Sequence, residues 1–205
     1  MHDIGRAPDH DKLFELASEQ GGYFTAAQAR QCGFSHALLA HHAREGGRFT
    51  RVRRGLYRLR QFPPSPREEV LAAWLALDRD EAVVSHDSAL ELLGLCDVVP
   101  EAVHVTVPRS KRYRPAAPGV RVHTTTRELL PSDVVVREGI RVTAPVRAIV
   151  DAAEAGTAPE QVIDAVRQAL DQGLATKQQL LAAAEERSSR VDQLVRRGLD
   201  RGLGS

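Results

Sequence analysis

Between Gly21 and Arg60 the sequence carries eight arginines, Arg30, Arg44, Arg48, Arg51, Arg53, Arg54, Arg58 and Arg60, against the single acid Glu45. That is a net of +7 in a chain whose total is only +1. Guanidinium groups bind phosphate in a bidentate fashion and keep their charge at any physiological pH. A cationic module inside an otherwise balanced chain is the electrostatic footprint of a face that binds a phosphate backbone. A second basic tract, Pro108-Arg109-Ser110-Lys111-Arg112-Tyr113-Arg114-Pro115, places an aromatic among Arg109, Lys111, Arg112 and Arg114, the composition of a phosphate-tracking loop.

Other residues of reactive type are less well arranged. Ser85-His86-Asp87-Ser88 joins nucleophile, base and carboxylate in one word, but neighbours on a helical turn diverge, and a triad is a constellation in space. Helix capping accounts for Ser85 better. Cys32, His36, His41 and His42 match no zinc-ligand spacing. There is no G-x-x-x-x-G-K-[ST] loop, no G-x-G-x-x-G and no kinase catalytic loop. Asp78-Arg79-Asp80 shares only its outline with the D-x-D of nucleotidyltransferases, since no Gly-Ser precedes it. No catalytic residue, metal ligand or cofactor is therefore expected.

The elements that would hold the arginines in place are readable from caps and turns. Asp9 to Gln20 predicts a helix with Leu13, Leu16 and Ala17 on one face. Thr25 and Gln28 form a T-x-x-Q capping box for a second helix that closes at Gly33. Ser35 caps a third, stapled by Phe34 and Leu39 and ended by Gly46-Gly47. On this third helix Leu38, Leu39 and Ala43 face inward while His36, Ala40, His41 and Arg44 face out. Two strands follow around an Arg54-Gly55 turn, with arginines alternating against Val52, Tyr57 and Leu59. Helix, helix and basic hairpin are the outline of a winged helix-turn-helix, with Ser35, His36, His41, Arg44, Arg48, Arg51, Arg53, Arg54 and Arg58 as its DNA-facing residues.

Phe62-Pro63-Pro64 interrupts both helix and strand and marks a boundary. Beyond it, a helix opening at Ser65 and another over Ser85 to Gly94 precede four short strands: Val103 to Val107, Val120 to Val122, Val134 to Val136 and Ile140 to Val142. Helices follow over Pro145 to Ala155, Pro159 to Asp171, Lys177 to Glu186 and Ser189 to Arg201. The fold class is α+β: an N-terminal winged helix-turn-helix, a small mixed or antiparallel sheet domain covered by helices, and a helical C-terminus. The expected domains are residues 1–62, 65–156 and 157–205. Whether the last helix packs on its own domain, a second protomer or a partner stays open.

At 205 residues with 42% hydrophobic residues, the chain can bury one or two real cores. Two cysteines far apart make no disulfide framework, and no apolar run reaches the length of a membrane span or a signal peptide. The expected location is the cytoplasm, with no membrane partner.

Short motifs in a fixed order give a family likeness. Tyr23-Phe24-Thr25, Gly33-Phe34-Ser35 and Arg53-Arg54-Gly55-Leu56-Tyr57 resemble the N-terminal domain of the AbiEi-type antitoxins of type IV toxin-antitoxin operons. Ser85-His86-Asp87-Ser88-Ala89-Leu90-Glu91 resembles their S-x-x-S-A-L block, Val103 to Pro108 their central strand, and Gly139 to Arg147 with Asp151 their G-x-x-V-T-x-P-x-R segment. The likeness runs from Tyr23 to Ala155, whereas relatives often continue into a longer, sometimes nuclease-like region. It implies an antitoxin that neutralises a nucleotidyltransferase-like toxin and autorepresses its operon, binding an inverted repeat in promoter DNA as a homodimer. Two alternatives stand beside this: an antitoxin acting enzymatically on its toxin, for instance by serine phosphorylation, and a ligand-sensing repressor.

Overall fold

The computed structural model of the protein describes residues 7–97, 99–111, 117–125 and 129–201. The chain divides after Arg79 into two compact units.

The first unit runs α1 (His10–Ser18), β1 (Tyr23–Thr25), α2 (Ala26–Gln31), α3 (His36–His42), β2 (Phe49–Arg53), β3 (Leu56–Leu59) and α4 (Glu68–Ala76). Its three strands pair antiparallel in the order β1-β3-β2 and share the unit with the consecutive α2–α3 pair, a helix-turn-helix-like arrangement. The two expected caps form, Thr25 and Gln28 closing a reciprocal box and Ser35 accepting from the Leu38 amide, while Asp9, read as the first helical residue, instead caps α1 by accepting from the Lys12 amide. Leu13, Phe24, Phe34, Leu39, Phe49 and Tyr57 make the core, with Phe24 edge-on to Phe49 at 4.9 Å. Strand β1 has no counterpart in the sequence reading, because three residues are too few to display a two-residue period. Its pairing with β3 (Phe24 opposite Tyr57) is what closes the small sheet.

Two details differ from expectation. The hairpin alternation is broken by a bulge: Arg51 pairs with Tyr57 but Arg53 with Leu56, so Val52 is an extra residue and Thr50, Arg51 and Val52 are all exposed. And α4 packs within the first unit, although the double proline suggested otherwise. Leu71 of α4 lies where a side chain on Gly21 would be, 2.7 Å from an added Cβ, and Gly21 has φ +63. The helix starts at Glu68 rather than after Ser65, since Ser65 Oγ accepts from the Arg67 amide and only the Glu68 half of the capping box is made.

The second unit contains β4 (Val83–Val84), α5 (His86–Leu93), β5 (Val103–Pro108), β6 (Val120–Thr125), β7 (Val134–Arg137), β8 (Ile140–Thr143), α6 (Pro145–Ala155), α7 (Pro159–Asp171), α8 (Lys177–Glu185) and α9 (Ser189–Arg201). Its sheet has five strands in the order β6-β5-β4-β8-β7. It is mixed: β4–β8 and β5–β6 are parallel, β4–β5 and β7–β8 antiparallel. The unforeseen central strand is the buried pair Val83–Val84, too short and too uniformly apolar to alternate. The β7–β8 turn places Glu138 at φ +49 and Gly139 at φ +77, the two positive angles of a type I′ hairpin.

Helices α7 to α9 belong to this same unit rather than forming an extension of their own. Val191, Leu194, Val195 and Leu199 of α9 are buried. Gly198 lets α9 approach Val166 of α7 so closely that an added Cβ would lie 2.7 Å from its side chain. The last helix therefore packs on its own unit. Among the described residues, no helix is long and apolar enough to cross a membrane.

Candidate functional site

Two surfaces carry concentrated chemistry, one in each unit. In the first, α3 ends at His42, short of the expected Gly46-Gly47, so Arg44 lies past its C-cap Ala43; Leu39 is buried, Leu38 and Ala43 are half-buried, and Ser35, His36, Ala40, His41 and Arg44 are exposed. Arg48, Arg51 and Arg54 are exposed on the hairpin side, and Arg53 is half-buried. His42 turns inward. Its ring packs against Phe49 at 5.2 Å, and burial, then His10, His41 and Arg48, lower its pKa, so it contributes packing rather than charge.

Arg58 is not available to a ligand as the sequence suggested. Its side chain is only 17% exposed, and the guanidinium pairs with Glu68 at 2.7 Å. It also donates to the carbonyls of Phe62 and Pro63. Arg60 likewise donates to the Gly47 carbonyl at 2.7 Å and ties the loop after α3 to the hairpin. A charge count along the chain cannot separate these clamps from the outward arginines, because both lie on β3 or just beyond it. In the second basic tract, Arg109 is exposed and Lys111 pairs with Glu81 at 3.0 Å, while Arg112 and Arg114 lie outside the described residues.

The second unit contains a polar pocket of about 530 Å³ whose wall includes His86, Thr106, His123, Arg147, Asp151 and Arg187. Parallel pairing sets its floor. Thr106 lies opposite His123 and His104 opposite Arg121, so these four side chains share one face of β5 and β6. Helix α5 begins above them with His86, held at φ +54, a left-handed conformation uncommon for a residue other than glycine. Ser85 does not cap α5 with its side chain. Its buried hydroxyl accepts from Thr106 at 2.7 Å and contacts His86 Nδ1 at 2.9 Å. With Ser85 fully buried, this serine–histidine pair is a structural link and not an accessible nucleophile.

The rings of His86 and His123 stack with centroids 3.6 Å apart, and His104 lies 5.0 Å from His123. Burial first, then His123 and His104, push His86 down to about 2. Burial, then His104 and Arg121, push His123 to about 4. His104 is lowered by burial against the opposing pull of Asp87. All three are neutral at pH 7. His104 Nδ1 and His123 Nε2 are buried without a protein hydrogen-bond partner, at a usual cost of about 1–3 kcal/mol each. On the other side of the pocket, Asp151 accepts from Arg147 and Arg187, both at 2.7 Å, joining α6 to the segment between α8 and α9.

This cluster escaped the sequence reading because its members come from α5, β5 and β6. The available signal was a histidine at a core-like position in each of two valine-rich strands, Val103-His104-Val105 and Val122-His123. By contrast, Cys32, His36, His41 and His42 do not assemble into a metal-binding group among the described residues.

Comparison with known proteins agrees with this architecture. Residues 11–60 match the family described as transcriptional regulator, AbiEi antitoxin. Residues 82–201 match the AbiEi antitoxin C-terminal domain, which takes in α7 to α9 as well as the segment whose motifs gave the likeness. No curated protein gives a significant match. Among solved structures, the RV2827C protein from Mycobacterium tuberculosis superimposes with a TM-score of 0.65 at 17% identity, over 93% of this chain and 75% of that one, a likeness of fold. With most of its length matched by these models, the chain belongs to the AbiEi antitoxin family of transcriptional regulators.

Proposed function

We propose that the protein is the antitoxin of a cytoplasmic toxin–antitoxin pair and represses its own operon by binding an inverted repeat in the promoter. The observation that carries this reading is the exposed row His36, Ala40 and His41 on α3, with Arg44 just past its end, flanked by Arg48, Arg51 and Arg54. Helix α3 would enter the major groove with His36, His41 and Arg44 toward base edges, while Ser35 and the hairpin arginines meet phosphates. Arg53 adds a partly exposed cation, and Arg58 has no place in the contact set. Two copies would occupy the two half-sites, since one module makes few contacts.

A mobility-shift titration with the promoter fragment tests it. With about four or five phosphates neutralised per module, log K falls against log salt with a slope near −4 per bound copy. A slope near zero, or equal affinity for unrelated duplex, would remove the reading. The cognate partner we infer is a nucleotidyltransferase-like toxin encoded beside it. Incubating both proteins with ATP and magnesium and weighing the toxin separates the modes of neutralisation: an unchanged mass with copurification supports masking, and an added phosphoryl supports modification.

A further inference from the structure

We infer that His86, His104 and His123 form a binding site for a divalent transition metal of the zinc class, with one coordination position left toward the pocket. One ring nitrogen from each histidine lies within 4.8 Å of those of the other two. Metal–nitrogen bonds of about 2.0–2.1 Å place imidazole nitrogens about 3.3 Å apart in a tetrahedral shell, so the rings need to close by no more than about 1.5 Å. Because the His86 and His123 rings are stacked only 17° from parallel, sharing an ion also requires the His123 ring to turn out of the stack so that both in-plane lone pairs converge.

Four observations converge on a cation. His104 Nδ1 and His123 Nε2 are buried lone pairs or N–H groups that no protein atom satisfies, which packing alone does not explain. His86 Nδ1 is engaged by Ser85, which leaves Nε2 for a ligand and fixes the ring, the usual outer-shell role. The backbone at His86 is held at φ +54, an angle uncommon outside glycine, at the point where its ring joins the cluster. His86 and His104 are buried and His123 is half-buried, so an ion held among the three rings is shielded from bulk water.

The ligand set favours zinc, cobalt or nickel over magnesium or calcium, which take oxygen ligands. The surrounding charge is mixed. Arg121, Arg147 and Arg187 face the cluster, as do Asp87 and Asp151, and both Arg147 and Arg187 are paired with Asp151. Because His86 and His123 line the pocket wall and His104 does not, the open position faces the cavity, where water or an anionic group would complete the shell. This inference is independent of DNA binding.

The test uses the full chain, stripped with chelator and titrated with Zn²⁺ by calorimetry. One zinc per chain is expected, with His104→Gln and His123→Gln each weakening binding more than tenfold and the exposed pair Glu160→Gln/Asp171→Asn leaving it unchanged. Absence of binding overturns the proposal. So does binding that survives both pocket variants, or that disappears in the surface double variant. Should the pocket variants not fold, X-ray absorption of the wild type with one equivalent of zinc decides: three imidazoles in the first shell support the site, and one or two overturn it.

Discussion

Arg51 and Arg58 occupy the same hairpin but have opposite fates, and substitution separates them. Arg58 is enclosed by Glu68 and two carbonyls, so Arg58→Ala should cost about 2–3 kcal/mol in chemical denaturation by stranding Glu68 in a half-buried place. It should leave the salt slope of DNA binding untouched. Arg51→Ala or Arg54→Ala should do the reverse, changing stability by less than about 0.5 kcal/mol while reducing the slope by about 1. The pocket histidines make a pH prediction for metal-free protein. Their folded values lie below the unfolded value of 6.5, so the unfolded chain takes up protons first on acidification. Stability is complete above about pH 6.5 and declines below it, down to about 4 for His123 and further for His86. Each histidine that must stay neutral contributes about 1.4 kcal/mol per pH unit in its window. Denaturation curves at pH 7 and pH 5 check this, with His123→Gln flattening the difference.

Elements were legible where a local signal sets them. Thr25, Ser35, Pro145 and Gly156 mark helix ends by cap chemistry, and each stands at its expected end. Thr25→Ala should therefore cost about 1 kcal/mol, measured by thermal melting, through loss of the box with Gln28. What was not legible depends on tertiary pairing. Strands β1 and β4 are three and two residues long and acquire their identity from neighbours, Tyr57 and Val142 among them. Val52 is exposed because a bulge, invisible to a two-residue period, resets the face of the strand. The histidine cluster belongs to the same class of omission, since nothing along the chain links position 86 to positions 104 and 123 until β5 and β6 align in parallel. Its neighbour Asp151 shows how such a contact is tested: Asp151→Ala should cost about 3–5 kcal/mol, because Arg147 and Arg187 lose their shared carboxylate.

For the whole molecule, the division after Arg79 rather than at the double proline decides which fragments fold. Leu71 and Trp74 of α4 are buried and Glu68 holds Arg58, so α4 completes the first core. A fragment ending at residue 79 should unfold cooperatively and bind the promoter fragment. One ending at residue 64 should melt at least about 10 °C lower or fail to fold, as circular dichroism on heating would show, since several buried side chains are lost at about 1.5–3 kcal/mol each. The composition of the linker suggested a break that the packing does not respect, because prolines report on local backbone and not on what the following helix covers.

The left-handed backbone at His86 exposes that position to two opposing evolutionary pressures. Glycine is the residue most at ease at such an angle, so a lineage drifting under selection for thermal robustness alone would slide toward His86→Gly more readily than toward any change at His104. Retention of an imidazole there through divergence would be a historical record of selection on the ring itself, readable from homologous genes before any protein is purified.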